Sequence, residues 1–129
     1  MPTGPTRGDR PRGRLVLVVE DEFLIAWDLE QLLERHGWRV LGPAATVAQA
    51  LHLLDGGSQP AVALLDVNLR GELVTPVAAV LRARGVPFVL ASAYDRLDLV
   101  APALAGAPNV GKPTDEARLL AALAQAAEV

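Results

Sequence analysis

The chain has 129 residues, a net charge of −3, no cysteine and a hydrophobic fraction of 51%. That length suits one domain able to bury roughly two-thirds of the surface its unfolded chain exposes. The composition excludes disulfides, thiolate chemistry and a disordered chain. No apolar run approaches the ~20 residues that span a bilayer, and no apolar segment follows the N-terminal charges as it would in a secretory signal, so the expected compartment is the cytoplasm.

Charge is unevenly spread. Residues 1–14 carry Arg7, Arg10, Arg12 and Arg14 against Asp9, while the remainder holds eight basic and fourteen acidic side chains. Residues 1–14 read as a basic, disordered leader rich in Pro and Gly, solvated or touching phosphates. Residues 15–129 read as one domain. Its acidity argues against DNA binding.

Leu15 to Val19 (LVLVV) is a continuous apolar run, long enough for a buried strand and too short for a helix. Glu22 to His36 reads as a helix with Ile25, Leu29, Leu32, Leu33 and His36 on one face and Gly37 as its stop. Trp38 to Leu41 is a second strand, and Thr46 caps a helix to about Leu54. Ala61 to Val67 is a third buried strand containing Asp66. A helix follows from about Thr75 to Ala83, with Pro76 tolerated near its start. Pro87 to Ala91 is the fourth strand. Asp95 caps a helix whose end is broken by Pro102. A short strand covers Asn109 to Gly111, and Thr114 caps a last helix through about Ala127. Strands that alternate with helices and are apolar throughout predict a parallel sheet covered on both faces. The expected fold is therefore α/β and flavodoxin-like: a doubly wound five-stranded parallel sheet, order 2-1-3-4-5, with five helices.

Ligands in such folds bind beyond the carboxyl ends of the strands. Glu20-Asp21-Glu22 stands after strand one, Asp66 at the end of strand three, Ser92 after strand four and Lys112 after strand five. Clustered carboxylates call for a cation, and Mg²⁺ (or Mn²⁺) prefers such oxygen ligands. A carboxylate beside it is a nucleophile toward phosphorus. Ser92 is suited to hydrogen-bond a phosphoryl oxygen and Lys112 to neutralise it, although Ser92 also fits an ordinary strand-end hydroxyl. Glu22 reads as charge at a helix N-terminus, and His36 and His52 read as structural. Gly106 to Lys112 has the spacing of a phosphate-binding loop, but Pro113 replaces the hydroxyl residue that motif requires.

The motifs VVEDE (Val18 to Glu22), LLDVNL (Leu64 to Leu69), ASA (Ala91 to Ala93) and GKP (Gly111 to Pro113) together resemble the receiver domains of two-component response regulators. PFVLASAYD (Pro87 to Asp95) is similar to the PFxFATGY signature of a subfamily common among alphaproteobacterial single-domain regulators, with Leu90, Ser92 and Ala93 in place of Phe, Thr and Gly. The resemblance implies that Asp66 is the phosphoacceptor and that Asp21 binds Mg²⁺ directly. It further implies that Glu20 binds through a water, that the Asn68 backbone carbonyl is a ligand, and that Ser92 and Lys112 hold the phosphoryl oxygens. It also implies a cis peptide at Lys112-Pro113. The phosphodonor would be a sensor histidine kinase or histidine phosphotransfer protein, and output would pass to a downstream protein by contact or phosphate relay. No enzymatic activity is expected beyond self-phosphorylation and autodephosphorylation. Many receivers carry an aromatic residue three positions before the lysine; Asn109 stands there, which leaves Tyr94 as the candidate switch aromatic. Phe23 and Trp27 form an i,i+4 pair turned away from Ile25, Leu29 and Leu32, suited to partner docking.

Two alternatives remain open on the residues alone. One is a haloacid-dehalogenase-type phosphatase, which also uses an Asp nucleophile, a hydroxyl, a Lys and Mg²⁺. It lacks support in the E-D-E that follows strand one. The other is a degenerate receiver that binds partners without taking phosphate.

Overall fold

The computed structural model describes residues 14–93 and 102–128. Four parallel strands form the central sheet: β1 (Leu15–Val19), β2 (Arg39–Ala44), β3 (Val62–Asp66) and β6 (Phe88–Ala91), in the order β2-β1-β3-β6. Between them run α1 (Phe23–Arg35), α2 (Val47–Asp55) and α3 (Thr75–Ala83), and α4 (Glu116–Ala127) closes the chain.

Period-2 alternation along the strands divides the core in two. Leu17, Val19, Ala63, Leu65 and Leu90 pack beneath α2 and α3, with Leu54, Val77 and Leu81. Val16, Val18, Leu64, Val89 and Ala91 pack beneath α1 and α4, with Leu33, Trp38, Leu119 and Leu123. Both faces are therefore dry, which is why the strands carry no polar alternation. Thr46 caps α2 as expected, its Oγ1 accepting from Gln49 N at 3.0 Å.

Several expectations are corrected. Trp38 is a buried core residue ahead of β2, which runs on to Ala44. The fifth strand is reduced to one parallel bridge, Leu90 with Asn109, held by Leu90 N–H to Pro108 O and Val110 N–H to Leu90 O, both 2.8 Å. Pro108 has no N–H to extend the ladder, and Gly111 turns away at φ 82°. The described residues accordingly hold four parallel strands and four α-helices rather than five of each. The helix expected from Asp95 lies largely outside the described residues, and Pro102–Leu104 forms a single 3₁₀ turn. The cap of α4 is Asp115, accepting from Arg118 N at 2.9 Å, not Thr114, whose hydroxyl donates to Gly111 O at 2.7 Å. Ile25 is 40% exposed rather than buried; α1 is fully buried at Ala26, Leu32 and Leu33, with Leu29 packed half-buried against the core.

A small hairpin was not anticipated. β4 (Asn68–Leu69) and β5 (Glu72–Leu73) pair antiparallel around Arg70-Gly71. Both central residues have positive φ, 55° and 92°, as a type I′ connection requires. Asn68 Oδ1 accepts from Gly71 N at 2.6 Å and closes the turn.

Candidate functional site

Three of the four strands of the sheet deliver polar side chains to the same edge. Glu20 and Asp21 follow β1, Asp66 ends β3, and Ser92 lies one residue beyond Ala91, which pairs with Asp66 across β3 and β6. Carboxylate oxygens of Glu20, Asp21 and Asp66 lie within 4.8 Å of one another. Glu20, Asp66 and Ser92 are the buried polar residues of the described chain, at 3%, 7% and 4% exposure. The Glu20 N-terminal side is fixed by its N–H on Ala44 O at 2.9 Å, and its Oε2 accepts from Glu22 N at 3.1 Å.

Two cations enter this cluster from different directions. Lys112 Nζ lies 3.2 Å from both Glu20 Oε1 and Asp66 Oδ2. Arg70, carried on the hairpin turn, places Nε 3.3 Å from Asp21 Oδ2 and a terminal nitrogen 3.5 Å from Asp21 O. Burial pushes the Asp66 carboxyl above its ordinary value; the attraction of Lys112 opposes this, and Asp21 adds to it. Glu20 is likewise raised, first by burial and further by Asp66, against the pull of the Glu22 amide and Lys112. Burial draws the Lys112 ammonium down, but the two carboxylates outweigh it and hold the group above its usual range.

The donor set is suited to a hard divalent cation: three carboxylates offering oxygen in one small volume, close enough that their mutual repulsion favours a shared positive charge. Asn68 stands two residues past Asp66, its side chain occupied by Gly71 N–H. The Lys112-Pro113 peptide is cis, as expected, and so is Gly42-Pro43, which was not anticipated.

Ser92 is gripped through its backbone. Asn109 Oδ1 accepts from Ser92 N at 3.0 Å and from Gly111 N at 3.0 Å, and Asn109 Nδ2 donates to Ser92 O at 3.2 Å. Neither this contact nor that of Arg70 is legible from motif spacing: both depend on where short loops turn. Phe23 and Trp27 are 76% and 51% exposed, beside Leu24 at 71%. Tyr94 lies outside the described residues. His36 sits at the exposed end of α1 with Nδ1 2.9 Å from Leu32 O, and His52 is exposed on α2.

No family model matches the chain. It is 32% identical over 113 residues to the phyllosphere-induced regulator PhyR of Methylorubrum extorquens, covering 86% of the chain and 42% of that protein. It is 35% identical over 111 residues to the sensory transduction protein LytT of Bacillus cereus, covering 84% and 45%. The solution structure of the Erythrobacter litoralis PhyR response regulator receiver domain superposes with a TM-score of 0.77 at 28% identity, over 89% of the chain and 90% of that domain. The chain belongs to the receiver domains of response regulators. It spans less than half the length of the curated relatives it matches. The acidic edge is thus the edge of a signalling receiver, and the likeness is to this family rather than to the phosphatase alternative. No described helix is long and apolar enough to cross a membrane.

Proposed function

We propose that this receiver takes a phosphoryl group onto Asp66 from a phosphohistidine of a sensor histidine kinase or histidine phosphotransfer protein. The observation that carries the reading is Lys112 Nζ at 3.2 Å from both Asp66 and Glu20 inside a three-carboxylate cluster. An ammonium placed there balances the buried acids before transfer and pairs with phosphoryl oxygens after it.

Glu20, Asp21, Asp66 and the Asn68 carbonyl would hold Mg²⁺ or Mn²⁺, which supplies charge neutralisation for the incoming phosphoryl group. The Asp66 carboxylate attacks phosphorus, and the P–N bond breaks with its electron pair going to the imidazole nitrogen. The histidine ring, protonated on its other nitrogen, leaves neutral. Ser92 donates its hydroxyl to a phosphoryl oxygen. Phe23 and Trp27 receive the donor's helices, since large apolar side chains exposed together beside the reacting edge suit an interface. Tyr94 is the candidate ring that moves when Ser92 does. The protein acts in the cytoplasm, signals by protein contact or phosphate relay, and has no activity of its own beyond self-phosphorylation and autodephosphorylation.

Incubation with acetyl phosphate and Mg²⁺, followed by intact mass measurement, tests the reading. One added phosphoryl group is expected, lost in Asp66→Asn and in chelator. Labelling that survives either change overturns it.

A further inference from the structure

The sheet stops one residue too early to hold Ser92 by backbone pairing. Among the described residues the fifth segment offers no ladder beyond the single Leu90–Asn109 bridge. The Asn109 side chain takes over: its amide presents an oxygen to Ser92 N–H and a nitrogen to Ser92 O, as a neighbouring strand's peptide group does. The same oxygen also accepts from Gly111 N–H at 3.0 Å. Gly111 immediately precedes Lys112, and Thr114 fastens the Gly111 carbonyl at 2.7 Å. One planar amide therefore ties the loop that carries Ser92 to the loop that carries Lys112. None of these three bonds goes to Glu20, Asp21 or Asp66.

We infer that Asn109 is a positioning residue that sets Ser92 against Lys112, and thereby governs how tightly the site holds a phosphoryl anion, without contributing to cation binding. The inference rests on the function proposed above. Ser92 and Lys112 arrive from different strand ends, and the bridge between those ends is one residue wide. Without the amide, each loop has its own freedom, and an anion that needs both groups at once must order them first. The cation needs neither, because the carboxylates come from β1 and β3, which pair along four residues.

The experiment separates the two ligands. Mg²⁺ is titrated calorimetrically, and beryllofluoride, a phosphoryl mimic, is titrated by NMR at saturating Mg²⁺. Asn109→Ala is expected to weaken beryllofluoride binding about tenfold, the effect of losing a hydrogen-bonded clamp, with Mg²⁺ affinity held within about twofold. Arg84→Ala, which removes the 2.8 Å hydrogen bond to Leu54 O where α2 and α3 end, at the sheet edge opposite the site, serves as a destabilised control and should move neither affinity. If Asn109→Ala does not fold, Asn109→Asp keeps the size and the bonds accepted from Ser92 N and Gly111 N and loses the amide donor that reaches Ser92 O. Measured in high salt to screen its charge, it should weaken beryllofluoride about threefold. Unchanged beryllofluoride affinity, or parallel loss of both ligands, overturns the inference. A wild-type protein that binds Mg²⁺ but no beryllofluoride overturns the proposed function itself, and this inference with it.

Discussion

Arg70 Nε lies 3.3 Å from Asp21 Oδ2, so a cation supplied by the protein occupies one flank of the carboxylate on which the resemblance places direct metal binding. The Arg70 side chain is 76% exposed and Asp21 only 11%. An exposed guanidinium on a buried-edge carboxylate contributes little to folding, about 0–1 kcal/mol. It does compete for Asp21 and repel a divalent ion nearby. Arg70→Ala should therefore tighten Mg²⁺ binding about threefold, with the gain shrinking as salt rises. Calorimetric titration at two ionic strengths decides it: equal or weaker binding in the variant means that Arg70 does not oppose the cation.

Lys112 neutralises the carboxylates from the other side and stabilises the fold. Its two partners have side chains only 2% and 9% exposed. Removing one member of a buried cluster leaves uncompensated charge. Lys112→Ala should lower stability in chelator by about 1–3 kcal/mol and let Mg²⁺ recover most of the loss. Urea unfolding with and without Mg²⁺ measures both. An equal loss in the two conditions would show that the lysine packs rather than neutralises.

The raised carboxyl groups give stability an unusual pH dependence. Asp66 and Glu20 are both held above their ordinary values by burial first. Between the unfolded value and the raised folded value the native state binds more protons than the unfolded chain, so stability falls as pH rises through that window. In chelator these two groups should make the melting temperature climb as pH drops from neutral toward the ordinary carboxylate range. Asp66→Asn should flatten the climb. A wild-type curve that declines over the same range, with the variant parallel to it, would contradict the assignment.

The sequence was most legible where burial alone sets the pattern. β1, β3, β6 and α3 lie within a residue or so of their apolar runs, because strands covered on both faces carry no competing signal. The strand ends then put Glu20, Asp21, Asp66 and Lys112 together, since parallel topology sends every carboxyl end to one edge. What escaped was set by single residues in loops. Pro108 and Gly111 cut the fifth strand to a bridge. Asp115, one position past Thr114, has the carboxylate that reaches Arg118 N. The Arg70-Gly71 turn brings a guanidinium back to Asp21 across 49 residues of sequence, a contact that no periodicity encodes. Asn109 marked only the place of a missing aromatic ring, and its amide bonds to Ser92 follow from three-dimensional approach.

The exposed start of α1 yields the last prediction. Phe23, Leu24 and Trp27 stand 76%, 71% and 51% exposed in the turn directly after the acidic residues, and Ile25 adds 40%. Ala26 is buried and Leu29 packs against the core, whereas Phe23, Leu24 and Trp27 serve no packing need. Apolar groups left together in water are costly to solubility and mark interaction sites. Phe23 and Trp27, four residues apart, share one side of the helix. Phe23→Ala combined with Trp27→Ala should leave acetyl phosphate labelling at Asp66 intact, because neither ring belongs to the carboxylate cluster. Phosphotransfer from the cognate kinase should slow by about tenfold or more, the loss expected on removing two buried aromatic anchors from an interface. The comparison of small-molecule and protein donors isolates docking from chemistry. Equal slowing with both donors would move the defect into the site, and no slowing with the kinase would leave this surface without the role assigned to it.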